Sequence, residues 1–382
     1  MDDRTKSPSK GLAQIILALS PADGLVVVPL GEQYRWANTA LQLTPGFKQR
    51  PDGTYALRDV DTAAPILLAL ADTARRHRVH LFGGPRPYLG DYAAALANGV
   101  PGEWTVKVEV YAHPVWQEDL VPLLWDAGEL IASVEHARIP YGAELTSSAG
   151  IELLLVERPG SAHEYLLGSF ASTPFDDNYA DPHAPRAVVL PSDTARAASL
   201  VTGTFLPAYE QAVHERLLAA VEAGQARLEE LHGTWAVIDA SGRYTDGTPL
   251  DQPTLSHIAD QYLVESAREF RHLRPHAAQL LNRIDAVTGM PPEDAAALAR
   301  LRKLLPIAAP QAMWPAPLAA SPPRLLSASA EEVRRWRVDA PALLRQARAL
   351  RPPRPEAVNA RTALPAAAKA LPAPATGAPR TR

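Results

Sequence analysis

GEWTVKVEVYAHPVWQEDLVPLLWDAGELIASV, residues 102–134, is the most strongly patterned stretch of the chain, and its reading decides the fold class. In its first part Trp104, Val106, Val108 and Val110 alternate with Thr105, Lys107, Glu109 and Tyr111. Successive side chains of a strand point to opposite faces, so this strand has one core face and one polar face. Pro114 suits the first turn of a helix, where a missing N–H costs nothing, and Glu118 and Asp119 favour the positive end of the helix dipole. Trp116, Leu120, Leu123, Leu124, Ala127, Leu130, Ile131 and Val134 then recur at helical spacing, which predicts one broad amphipathic helix from Pro114 to Val134.

Towards the N-terminus the pattern stays mixed. Residues 1–10 are polar and expected to be disordered, and residues 11–19 read as a short amphipathic helix. A secretory signal is the competing reading of that segment, since Lys6 and Lys10 precede Leu12–Leu19, but Gln14, Asp2 and Asp3 argue against it. Leu25–Leu30 is a continuous apolar run of the kind found in a buried strand. A helix is expected over 34–43, short strands around Phe47 and over 55–57 across the turn Pro51-Asp52-Gly53, and a helix from Asp61 or Thr62 to about His77. A strand over 79–82 and a helix over 91–98 lead into the opening stretch.

Beyond Pro140 the period becomes two. Residues 151–157 and 163–170 form a predicted hairpin, a polar loop spans 173–186, and a last short strand covers 187–190. From Leu206 the chain turns helical. Leu206, Tyr209, Val213, Leu217, Val221, Leu228, Leu231, Trp235 and Ile238 keep one phase, predicting a single helix over 206–240 that stops at Gly242. Leu255–Phe270, Pro275–Val287 and Pro292–Leu305 each carry an apolar stripe of their own, and Glu331–Leu350 reads as a basic amphipathic helix. The expected organisation is therefore an α+β or α/β domain with a mixed sheet over 11–204, a helical hairpin or bundle over 205–306, a Pro/Ala linker over 307–328, the basic helix over 329–350, and a disordered Pro/Ala/Arg tail over 351–382.

Composition excludes several chemistries. There is no cysteine among the 382 residues, so disulfides, thiolate catalysis and Cys-ligated metals are ruled out. No apolar run reaches the roughly 18–20 residues that span a bilayer, and the expected location is the cytoplasm. The phosphate-loop, HExxH, GxSxG and GxGxxG motifs are missing from the sequence. The net charge of −4 hides a polarity: residues 321–382 hold twelve basic and four acidic side chains, a net of +8, which leaves −12 for residues 1–320.

Three sets of residues carry candidate chemistry. Glu109 and His113, at the end of the polar strand face, could act as acid and base or share a metal, against the plainer reading of a solvated Lys107–Glu109 pair and a His113 that forms part of the helix entry. Asp176, Asp177, Asp181 and His183 crowd the 173–186 loop with ligands suited to a divalent cation, although Asp beside Pro is also an ordinary turn former. Arg334, Arg335, Trp336, Arg337, Arg345, Arg348, Arg351 and Arg354 combine charges that pair with phosphates and an aromatic that could stack on a base. The same basic segment, residues 324–382, could instead meet an acidic partner, including this chain's own acidic body. Five scattered histidines in the helical half read as exposed or hydrogen-bonded residues.

PGEWTVKVEVYAHPVWQEDLVPLLWDAGEL, with FDDNYADPHAPR downstream, resembles a group of actinobacterial-type proteins over about residues 20–270. That group has no established activity, so the resemblance implies nothing about individual residues. The expectation drawn from the residues is a non-enzymatic interaction protein, associating through helix 206–240 and binding a polyanion such as nucleic acid through its basic end. A metal-assisted hydrolase in the α/β domain and a structural component of a larger assembly are the alternatives.

Overall fold

The computed structural model describes residues 13–57, 59–83, 86–161, 163–172, 175, 178, 180–244, 246–284, 290–305 and 323–350, with the side chains of Val60 and of residues 323–328 not described. The chain begins with a hairpin, β1 (Gln14–Ser20) and β2 (Gly24–Leu30), turned by Gly24 at φ 76° and by the Ser20 hydroxyl, which accepts from Asp23 N–H at 2.9 Å. The helix expected over 11–19 is thus a strand. Ile15 faces one buried cluster while Ile16 and Ala18 face another. A strand buried on both faces shows no alternation, and periodicity alone cannot separate it from a buried helical turn. Next come α1 (Tyr34–Gln42), β3 (Lys48–Gln49), β4 (Tyr55–Leu57), α2 (Ala63–Arg76), β5 (His80–Phe82) and α3 (Leu89–Gly99). The first sheet has the order β3-β4-β2-β1-β5, antiparallel except for the parallel pair β1/β5. Ile15, Val27, Leu41 and Leu70 fill the space between this sheet and α1 and α2.

The decisive stretch opens with β6 (Trp104–Val110) as read, but the single helix predicted over 114–134 is divided. It becomes α4 (Pro114–Glu118), a 3-10 turn at Val121–Leu123, the two-residue strand β7 (Leu124–Trp125) and α5 (Glu129–His136). Pro122 supplies one cause, because its ring cannot continue a helix. Asp126 supplies the other. Its buried carboxylate accepts from Leu130 N–H at 3.0 Å, Ile131 N–H at 3.3 Å and Ala187 N–H at 2.6 Å, starting a new helix after Gly128. Buried Gln117 donates to Val134 O and Ala137 O, both at 2.6 Å, and Arg138 donates to Ala112 O at 3.0 Å, so the broken segment is pinned to the end of β6. Burial pulls the Arg138 pKa down to about 10.

Strands β8 (Tyr141–Ser147), β9 (Glu152–Glu157), β10 (Glu164–Phe170) and β11 (Val188–Pro191) complete a second sheet of order β11-β10-β9-β8-β6, all antiparallel, with β7 added to β10. Strand β8 was not expected from the sequence. One face of this sheet packs Leu154, Val156 and Leu166 against Leu120, Leu130 and Val134 of the broken segment. The other packs Ala143, Leu155 and Leu167 with Leu96 of α3.

Helix α6 (Thr194–Leu200), capped by Asp193, runs through a π turn at Val201–Phe205 into α7 (Leu206–Ser241), which ends at left-handed Gly242. The expected boundary at 204/205 falls on this turn, and one buried cluster continues from Ala143 and Leu155 of the second sheet to Leu217, Phe270 and Trp336 of the helices. The two helices expected over 255–270 and 275–287 are one, α8 (Gln252–Asn282), with Pro275 exposed inside it. Helices α9 (Pro292–Leu304) and α10 (Pro323–Ala349) finish the bundle. The mixed-sheet region followed by helices is the architecture read from the sequence, and among the described residues no helix is long and apolar enough to cross a membrane. The N-terminal residues 1–12, the tail 351–382 and residues 306–322 lie outside the described residues, and α10 begins at Pro323, inside the linker expected over 307–328.

Candidate functional site

Glu109 and His113 have different partners. Glu109 hydrogen-bonds to Lys107, whose ammonium also lies 3.8 Å from Glu144 across the β6/β8 ladder. Burial, and then the like charge of Glu109, raises the Glu144 pKa above the ordinary carboxylate value. His113 points its chemistry elsewhere. Its Nδ1 accepts from Val115 N–H at 3.2 Å and caps α4, while its ring leans on Trp116 with centroids 6.4 Å apart. The plainer reading of both residues describes these contacts.

In the 173–186 loop, Asp176 and Asp177 lie outside the described residues, and Asp181 is a clamp. Its carboxylate pairs with Arg216 of α7 at 2.7 Å, accepts from Trp125 Nε1–H at 2.8 Å, and accepts from His183 N–H at 2.9 Å. Both charged side chains are nearly buried, at 12% exposed for Arg216 and 7% for Asp181. The Arg216 guanidinium also donates to Asn178 Oδ1 at 3.2 Å and sits 3.9 Å from the centre of the Phe175 ring. The carboxylate expected to bind metal is therefore engaged in holding the loop to β7 and α7. Among the described residues no three metal-ligating side chains come together.

The basic helix α10 is the largest departure from expectation. Trp336 is fully buried, donates Nε1–H to Gln225 Oε1 at 2.7 Å and packs on Phe270 with centroids 5.9 Å apart, so its indole has no face left for a base. Arg337 makes a forked pair with Glu229 at 2.9 and 3.3 Å, Arg348 meets Glu222 at 2.8 Å, and Arg345 and Gln346 both bond to buried Asp294 of α9. Those bonds hold the Asp294 pKa below the usual carboxylate value, the Arg345 contact being the larger cause. The charge polarity of the sequence is in this part an internal one: basic α10 is stitched to carboxylates of α7 and α9. Arg334 and Arg335 pair with Glu331 on their own helix, and Arg351 and Arg354 lie outside the described residues. The apolar stripe of α7 suggested as an association surface likewise faces its own chain, with Gly224 so close to α8 that an added Cβ would stand 2.8 Å from Leu273 Cδ1.

Among the described residues, the packing leaves a groove of about 540 Å³ between α8, α9 and α10. Arg274, Arg300, Lys303, Arg334 and Arg335 line it, opposed by Glu332 and Asp339 over a floor of Leu304 and Val338. Arg300 forks onto Asp339 at 2.6 and 3.0 Å. Arg274 and Lys303 make no hydrogen bond or ion pair with a described residue. Val338 is 71% exposed, an apolar side chain standing among cations. Sequence reasoning missed Arg274 and Lys303 because they lie 50 and 21 residues before Arg324, where the basic segment begins, on helices whose charges look ordinary one at a time.

No known protein family, no curated protein and no solved structure matches this chain.

Proposed function

We propose that the protein is a non-enzymatic interaction protein that binds a polyanion, nucleic acid being the one tested first, in the cationic groove between α8, α9 and α10. The observation that carries this reading is the convergence of five cations on one groove, two of them without an acidic partner among the described residues. Pairing Lys or Arg with phosphates releases counterions from the nucleic acid, so such a groove gains affinity at low salt without reading bases. The exposed Val338 offers the sugar or base an apolar contact. Basic residues beyond 350 enter the reading only through their charge. Of the carboxylates the hydrolase alternative would use, Asp181 is engaged by Arg216, Trp125 and His183, and Asp176 and Asp177 lie outside the described residues.

Fluorescence anisotropy with labelled single-stranded and duplex oligonucleotides across a salt series tests it. The wild type is expected to bind both at low salt, and the double variant Arg274→Glu/Lys303→Glu to lose about tenfold or more, with a salt slope reduced by about two contacts. Absence of low-salt binding, or a double variant that binds as well as the wild type, refutes the proposal.

A further inference from the structure

Strand β6 ends the second sheet, and β8 is the strand paired with it. Its ladder fixes which backbone groups remain open. Tyr111 N–H donates to Pro140 O and Ser148 N–H donates to Glu103 O, both at 2.9 Å, so the odd-numbered residues hydrogen-bond towards β8. In an antiparallel pair the intervening residues turn their N–H and C=O the other way, which directs those of Trp104, Val106, Val108 and Val110 outward. Ala112 shares that parity, and its outward carbonyl accepts from Gly31 N–H at 2.9 Å, marking where the open edge stops. Between Trp104 and Val110 no described strand covers it. An uncovered, β-branched edge of this length is a template for another strand.

We infer that the strand it takes is β6 of a second copy, antiparallel, across a two-fold axis at Val108. Outward groups can bond only to outward groups, so even-numbered residues must face even-numbered ones, and the axis falls on a residue. An axis at Lys107 sets two lysines opposite each other, and an axis at Glu109 sets two glutamates opposite each other. Like charges directly opposite are destabilising. An axis at Val110 would set Ala112, whose carbonyl Gly31 already holds, opposite Val108 next to the axis, whereas an axis at Val108 meets it only opposite Trp104 at the end of the ladder; one at Val106 would oppose Glu103 to Glu109. The axis at Val108 alone places Lys107 opposite Glu109 of the second copy, twice by symmetry. It also stacks half-buried Val106 on Val110 of the second copy on the other face. Lys107 is 68% exposed at its side chain, and the dimer would set Glu109 of the second copy beside the Glu109 it already pairs with on its own strand. The surface is self-complementary, as a two-fold interface requires.

The competing role for Lys107 is that of an edge guard, which keeps a strand from pairing at all. Sedimentation velocity of the full chain over a dilution series reaching about 100 μM separates the two. A concentration-dependent monomer–dimer equilibrium is expected, and a wild type that stays monomeric overturns the inference in favour of the guard. Lys107→Glu and Glu109→Lys, each alone, bring like charges together and are expected to weaken the dimer tenfold or more. Mixed in equal amounts, the two variants are complementary again and are expected to form the mixed dimer. Variants that dimerise like the wild type, or a mixture that stays monomeric, overturn the inference. Val108→Pro removes an outward N–H that the monomer does not use, a substitution edge strands tolerate. Because the Val108 side chain is buried in the core, the variant is expected to melt at a lower temperature while keeping a cooperative transition, and to lose the dimer; an unchanged dimer would place the interface elsewhere.

Discussion

Replacing Asp181 by alanine removes the carboxylate that joins β7, the 173–186 loop and α7. The Arg216 guanidinium, 12% exposed, then loses a partner at 2.7 Å, and the Trp125 indole N–H loses its acceptor at 2.8 Å. Breaking a buried ion pair by deleting one member costs about 3–5 kcal/mol, because the remaining charge stays away from water. The orphaned indole N–H alone would cost about 1–3 kcal/mol, and the two overlap at one carboxylate, so the expected total is about 3–5 kcal/mol. Urea unfolding followed by Trp fluorescence and far-UV circular dichroism measures it as a fall in the midpoint. Arg216→Met keeps an apolar stem over Phe175 while removing the charge, and it is expected to cost less on its own. In the double variant Asp181→Ala/Arg216→Met the costs should fall short of additive by about 1–3 kcal/mol, the signature of a coupled pair. A single Asp181→Ala variant within about 0.5 kcal/mol of wild type would refute the clamp, since that is the range of an ordinary surface change.

Two glycines of α7 should respond in opposite directions to alanine. A Cβ at Gly224 would stand 2.8 Å from Leu273 Cδ1 and 3.3 Å from its Cβ, so Gly224→Ala is expected to destabilise by about 1–3 kcal/mol, whereas Gly233 has open space and Gly233→Ala should stabilise by about 0.5–1 kcal/mol; thermal unfolding of both reads the contrast. Glu144 has a folded-state pKa raised above 4.5, so folding takes up protons and stability falls as pH rises from that ordinary value through the raised one. Glu144→Gln should flatten this slope, leaving a variant relatively more stable at neutral pH than at pH below 4.5, as urea midpoints across that window would show.

How far the sequence was readable depended on whether a feature was local. The alternation of β6 and the long phase of α7 up to Gly242 are local and were read correctly. The helix over 114–134 was misread because Leu120, Leu124, Leu130 and Val134 are buried in the structure as well, at the same spacing, while the chain between them turns. Pro122 and the Asp126-Ala-Gly128 sequence were the available signals of a stop and a fresh start. Residues 14–20 were misread because burial on two faces erases the period that identifies a strand. The fate of Arg337, Arg345 and Arg348 of α10 was not local: their partners Glu229, Asp294 and Glu222 lie 51 to 126 residues away, so a count of charges left open whether the segment meets a polyanion or the chain's own carboxylates, which is where these three are paired. The groove that remains shares Arg334 and Arg335 with the sequence reading and adds Arg274 and Lys303, which only the packing of three helices brings together.

Trp336 has a consequence for how the protein is made. Its indole fills the seam between α7 and α8 through Phe270 and Gln225, residues that precede it by 66 and 111 positions. During synthesis Trp336 cannot fill that seam until α10 has emerged. A ribosome that stops between the two segments leaves a bundle with an apolar slot at its centre, the kind of surface that chaperones hold and proteases find.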